Sequence, residues 1–110
     1  MIRTQITEQY SVSEQITLDD LNTLAAAGIS LIVCNRPDKE EENQLAFADI
    51  AQRAQELNIK AVHIPFAGGQ MQASDVTSFK QAIKGADKIH GYCRTGKRAS
   101  SIWEAANTEV

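Results

Sequence analysis

Two cysteines and two histidines are all that the 110 residues carry of the side chains most often used to bind transition metals. Cys34 and Cys93 cannot build a disulfide framework, and with only His63 and His90 beside them no spacing suits a structural zinc site. The expectation is no metal and no cofactor. Long apolar runs are equally scarce: none would span a bilayer, and Met1-Ile2-Arg3-Thr4-Gln5 lacks the apolar heart of a secretion signal. A cytoplasmic setting with no membrane partner is the default expectation. Positive charge is not in excess either. The formal net charge is -3 and the sequence pI about 5.3, which recommends neither nucleic acid nor an anionic membrane as partner. Gly91 to Lys97 copies most of a nucleotide-binding P-loop, but Arg98 stands where that loop needs a magnesium-holding Ser or Thr, which argues against an ATPase. Internal repeats and low-complexity tracts are absent as well.

With 43% hydrophobic residues the chain can close one core and hardly two, so residues 1–110 are read as a single domain. The pattern alternates strands with helices. Tyr10, Val12 and Gln15 mark a first extended segment. A helix follows with Thr17 as N-cap, Asp20 in its acidic first turn, Leu21, Leu24 and Ala25 as its inner stripe and Gly28 as its stop. Ile29 to Cys34 is an apolar run broken only by Ser30, as in a strand covered on both faces, and Asn35-Arg36-Pro37-Asp38 ends it in turn chemistry. The spacing predicts a second helix from Leu45 to Leu57 with Asn58 as C-cap, then a strand from Lys60 to Ile64 and a glycine-rich loop from Pro65 to Ala73. A third helix is expected to be capped by Ser74, to carry Val76, Phe79, Ala82 and Ile83, and to end at Gly85. Lys88 to Tyr92 reads as the last strand, and Ala99 to Ala106 as the last helix. The expected fold class is α/β, a mainly parallel sheet flanked by helices. Ligands of such sheets bind beyond the carboxyl ends of the strands, where 34–38, 65–74 and 93–98 converge, and Asp87 falls at the opposite edge.

Cys93 stands where the last strand hands over to the last helix. If Cys93 to Arg98 wraps into a loop, its backbone N–H groups converge and the positive end of the following helix adds to their field. That is an anion site with a nucleophile in it. Cysteines so placed have pKa values of about 3.5 to 7.5 instead of about 8.5. Arg94, Lys97 and Arg98 concentrate positive charge in an otherwise acidic chain, so the expected partner is a small anion, phosphate or a phosphomonoester. Three cations and a glycine suit no core, which separates Cys93 from the ordinary buried cysteine. Arg98 at a helix start opposes the helix dipole, and an unfavourable position argues for an anion beside it. His63 and His90, in strand patterns, read as packed, hydrogen-bonded imidazoles, Trp103 as core, and Asp38-Lys39-Glu40-Glu41-Glu42 as a solvated loop.

Asn35-Arg36-Pro37-Asp38, His63-Ile64-Pro65, and Tyr92-Cys93-Arg94-Thr95-Gly96-Lys97-Arg98 with Ile102-Trp103 together resemble the phosphatase-like domain of beta-lactamase hydrolase-like proteins. Through it they resemble the dual-specificity and tyrosine phosphatases. The resemblance runs from Tyr10 to Trp103 and implies a dual-specificity-phosphatase-like fold that hydrolyses phosphomonoesters through a phosphocysteine. It would make Cys93 the nucleophile and Arg98 the clamp on the phosphoryl oxygens, with Arg94, Thr95, Gly96, Lys97, Ala99 and Ser100 completing the phosphate loop. The planar fork of Arg98 suits two oxygens at once, which lysine does not, and Gly96 lets the backbone approach the anion.

The chain also departs from that pattern. Four residues separate Cys93 from Arg98, where ordinary tyrosine phosphatases have five. Rhodanese-type sulfurtransferases share the shorter spacing and carry a persulfide on the cysteine, so sulfur transfer by Cys93 stays open as an alternative. Tyr92 replaces the usual histidine and Ala99 the usual serine, a hydroxyl that Ser100 would partly restore. Pro65 to Gln70 has no carboxylate where the general acid usually sits, which leaves Asp38 and Asp75 on the correct edge to substitute. A turn role for Asp38 and a first-turn role for Asp75 are the simpler readings. Loss of leaving-group protonation costs a factor of about a hundred to ten thousand, so a weak enzyme or a phosphate-binding module without catalysis is implied if neither serves. The chain stops soon after Trp103, where such domains continue through further helices; a truncated chain with an incompletely covered sheet would favour a homo-oligomer. Cys34 stands where some lipid-directed phosphatases carry a redox partner for the nucleophile, though a buried strand thiol is the simpler reading.

Overall fold

A computed structural model describes residues 1–108. Its strands are β1 (Thr4–Gln5), β2 (Tyr10–Ser13), β3 (Leu31–Cys34), β4 (Lys60–His63) and β5 (Ile89–Tyr92), joined in one sheet of order β1-β2-β5-β3-β4. All neighbours pair in parallel except β1, which runs antiparallel to β2. The helices are α1 (Leu18–Ala26), α2 (Phe47–Glu56), α3 (Ala73–Ile83) and α4 (Lys97–Thr108). The α/β class with a mainly parallel, helix-flanked sheet is thus the one observed. β1 was not foreseen, because its two residues are exposed and carry no alternation.

β5 lies between β2 and β3, with Gly91 opposite Val12 on one side and Val33 on the other, and all four of its residues are buried. The cysteine that follows therefore leaves the sheet from the middle of its carboxyl edge. Side chains alternate between two cores, one built by Tyr10, Val12, Val33, Phe79, Ile89 and Ile102, the other by Leu21, Leu24, Ile32, Cys34, Ile50 and Tyr92. In the first, the Tyr10 ring stacks on Trp103 at 4.4 Å and meets Phe79 edge-on at 5.9 Å, and its hydroxyl donates to the Ala99 carbonyl at 2.8 Å. A Cβ at Gly91 would collide with that hydroxyl. Only glycine lets the first turn of α4 lie this close to the strand that leads into it.

Helix starts differ from expectation where two caps compete. Thr17 and Asp20 close α1 as a reciprocal capping box, as the pattern predicted. α3 begins earlier than Ser74 allows: Gln72 is its N-cap, because the Asp75 carboxylate reaches back to the Gln72 N–H at 2.8 Å. α2 begins at Phe47, whose N–H donates to Asp38 Oδ1 at 2.9 Å, and Asn58 turns the chain at its end with φ 61°. α4 begins at Lys97, ahead of Ala99, because Gly96 at φ 97° turns the chain and its carbonyl accepts the Ser100 N–H at 3.0 Å. Arg98 thereby enters the first turn of α4. Among the described residues no helix is long and apolar enough to cross a membrane.

Candidate active site

Three loops are stitched together at the carboxyl edge of the sheet. The Asn35 N–H donates to the Tyr92 carbonyl at 2.9 Å and its side-chain amide to the Ile64 carbonyl at 2.9 Å, while the Ile64 N–H donates to the Cys34 carbonyl at 2.9 Å. Fully buried Asn35 thus ties the chain leaving β3 to the chains leaving β4 and β5.

Cys93 is fully buried at the end of β5, and its sulfur accepts a hydrogen bond from the Gly96 N–H at 3.0 Å. The loop therefore turns back onto the sulfur. Arg98 reaches over it: Nη1 donates to the Phe66 carbonyl at 3.0 Å and to Glu40 Oε2 at 2.7 Å, and Nη2 donates to Glu40 Oε1 at 2.9 Å. The Glu40 hydrogen bonds raise the Arg98 pKa, and the neighbouring Cys93 sulfur adds to the effect. In return Arg98, with Arg36, holds the Glu40 carboxyl below the usual carboxylate range against the opposing effect of burial.

Arg36 is buried and bonds on three sides, to Glu40 Oε1 at 2.9 Å, to Glu41 Oε1 at 3.2 Å and to Gln15 Oε1 at 2.9 Å. Exposed Arg94 pairs with Glu41 at 2.7 Å. The acidic run that read as a solvated loop is in part the roof of the site, and the correction has a plain cause. The partners of Glu40 and Glu41 lie on the cysteine loop, on α4 and after β3. A cleft of about 370 Å³ opens there, lined by Glu40, Glu41, Gly68, Arg94, Thr95 and Arg98.

Residues 2–109 match the family of the beta-lactamase hydrolase-like protein phosphatase-like domain. The chain belongs to that family. A beta-lactamase hydrolase-like protein of Xylella fastidiosa is 28% identical over 101 residues, which cover 89% of this chain and 23% of that protein. The chain thus spans less than a quarter of the curated relative. Among solved structures, a candidate phosphatase of Neisseria meningitidis superimposes with a TM-score of 0.83 at 37% identity, covering 97% of this chain and 79% of that one. The catalytic core of the PP-IP phosphatase Siw14 of S. cerevisiae shares the fold at a TM-score of 0.69 and 16% identity, covering 91% and 60%.

The remaining expected site residues of this phosphatase-like domain fall into two groups. Thr95 and Lys97 are exposed at the mouth of the loop, and Gly96 is packed under it against the Ser13 backbone. Ala99 is buried and its carbonyl is taken by Tyr10, while Ser100 lines a neighbouring cavity of about 380 Å³ with Ser13, Glu14 and Lys97. Asp75 and Asp38 are both engaged at helix starts, in the α3 capping box and on the first N–H of α2. The charge of Asp38 acts on Cys34 and Tyr92. Cys34 and Cys93 are both free thiols, but they belong to the cores on opposite faces of the sheet. Burial pushes the Cys34 pKa up to about 11, which keeps it a thiol at neutral pH. Both histidines are hydrogen-bonded, His63 to the Arg36 carbonyl at 2.8 Å and His90 to Ser11 and Ser13. A larger cavity, about 700 Å³, lies at the amino edge of the sheet beside Arg3, Asp87 and Lys88 and is lined by no cysteine, serine or threonine. Among the described residues no three His, Cys, Asp or Glu side chains converge as a metal site.

Arg36 and Glu40 are the site residues that patterning missed. The available signal was topological: a carboxylate-rich loop and three arginines fall at the same edge of a parallel sheet.

Proposed function

We propose that the domain hydrolyses phosphomonoesters with Cys93 as nucleophile and Arg98 as the clamp on the phosphoryl oxygens. The observation that carries this reading is the buried Cys93 sulfur, bonded by the Gly96 N–H of its own loop and with the Arg98 guanidinium beside it. The Cys93 thiolate attacks phosphorus, the S–P bond forms as the P–O bond to the leaving group breaks, and the electron pair leaves with that oxygen. Water then attacks the phosphocysteine, releasing dihydrogen phosphate and restoring the thiolate. Asp38 and Asp75 are occupied at helix starts, so the leaving oxygen takes its proton from solvent, and esters of acidic alcohols are the better substrates. A reducing cytoplasm, which would keep Cys34 and Cys93 reduced, suits this chemistry.

Intact mass after rapid acid quench, with an aryl phosphate in one tube and thiosulfate in another, tests the reading. A phosphoryl adduct that disappears in Cys93→Ser is expected. A sulfur adduct on Cys93, or no adduct in either tube, would overturn it in favour of sulfur transfer or of anion binding without turnover.

A further inference from the structure

We propose that Glu40 is the positioning residue for Arg98, holding the end of the guanidinium so that its side edge stays open to an oxyanion above Cys93. The inference rests on the phosphatase reading for what the open edge binds, and on a count of donors for the rest. A guanidinium carries five N–H groups in one plane. Glu40 takes one from each terminal nitrogen, and the Phe66 carbonyl takes the second from Nη1. The N–H groups that no oxygen takes are Nε–H and one Nη2 N–H, which lie side by side and parallel, and the Cys93 sulfur is the other group that draws on this guanidinium. That pair matches two oxygens of a phosphoryl group.

A carboxylate that merely filled the anion's place would accept from the loop N–H groups. Glu40 accepts from Arg98 and Arg36 side chains instead, so it grips the clamp and leaves the cradle alone. It is itself held from behind. The N–H groups of Glu40 and Glu41 donate to Gln44 Oε1 at 3.0 and 3.3 Å, and the Gln44 amide donates to the Pro37 carbonyl at 2.9 Å. Lys39 and Asn43 take left-handed backbone angles, φ 63° and 66°, at either end of this turn. The loop is built to present one carboxylate at one place.

The test uses the whole chain and two readouts. Side-chain ¹⁵N–¹H spectra report whether the Arg98 terminal N–H groups are fixed, with Arg98→Lys assigning the signals, and titration with inorganic phosphate reports use of the open edge. Resolved Arg98 signals are expected in the wild type and in Glu41→Gln, and their collapse in Glu40→Gln, together with a phosphate affinity lower by about tenfold. Thermal unfolding checks that the fold is kept. Unchanged Arg98 signals in Glu40→Gln, or phosphate binding at least as tight as in the wild type, overturns the proposal. A wild type with resolved Arg98 signals that binds no phosphate overturns the phosphatase reading instead, while the Glu40→Gln spectrum still decides the hold on Arg98.

Discussion

Acidification from pH 7 to pH 5 should destabilise the domain through one residue, His90, which sits on the strand that leads into the Cys93 loop. The ring is fully buried between Ser11 and Ser13. Ser13 has one hydroxyl proton and gives it to the Glu14 carbonyl at 2.9 Å, so its oxygen accepts from His90 Nε2–H at 2.7 Å. Nδ1 then accepts the Ser11 hydroxyl at 2.8 Å. A neutral ring satisfies every partner. Burial pushes the His90 pKa down to about 4, Arg3 adds to the shift, and Asp20 opposes it.

An unfolded histidine titrates near about 6.5, so on acidification the unfolded chain takes up the proton first and the folded state loses ground. Stability is complete above the unfolded value and falls as the pH drops from about 6.5 towards 4. With the folded value of about 4, the loss is about 2 kcal/mol at pH 5 and approaches about 3.4 kcal/mol below pH 4. Urea unfolding of the wild type and of His90→Gln at pH 7, 6 and 5 measures it. His63 is common to both proteins, and Glu40, held low, releases its contribution only at more acid pH. The wild type should lose about 2 kcal/mol across this range and the variant less than about 0.5 kcal/mol. Parallel pH dependences would refute the assignment of His90 as a buried neutral ring.

Two further perturbations probe the packing and the caps. Gly91→Ala drives a methyl into the Tyr10 hydroxyl and should cost about 1–3 kcal/mol in urea unfolding. Adding Tyr10→Phe removes the struck atom, so the double variant should be more stable than the sum of the singles; strict additivity would show that the two do not meet. Asp75→Ala removes the α3 capping box and should cost about 0.5–2 kcal/mol while turnover of an aryl phosphate falls less than tenfold. A loss nearer the hundredfold or more that a general acid contributes, in a protein that remains folded, would return Asp75 to the chemistry.

Legibility followed the range of the interactions. Thr17, Asp20 and Gly28 act within one helix and its ends, and the run from Leu31 to Cys34 is buried on both faces, so their patterns are written in neighbouring residues. Ser74 misled because a serine ahead of an apolar stripe is the common cap. The side chain that decides the start of α3 is Asp75, which serves equally well from Gln72. The cysteine loop was legible because six consecutive residues carry it. Glu40 was not, since its bond to Arg98 spans 58 residues and a run of charges looks the same whether it is solvated or roofs a site.

The short loop and the external carboxylate belong to one design. Gly96 is packed against the Ser13 backbone, and Gly91 and Tyr10 hold the first turn of α4 close to β5, so the Cys93–Arg98 loop is packed on both sides. With four residues between cysteine and arginine, the loop has one backbone N–H fewer to offer an anion than a five-residue loop has. On the proposed reading, more of the anion's charge then falls to Arg98. That residue stands in the first turn of α4, where the helix dipole opposes a cation and gives its guanidinium no reason to stay. A carboxylate gripping two of its N–H groups supplies that reason without touching the pair proposed to face the anion. The tighter the loop, the more its arginine depends on a support from outside it.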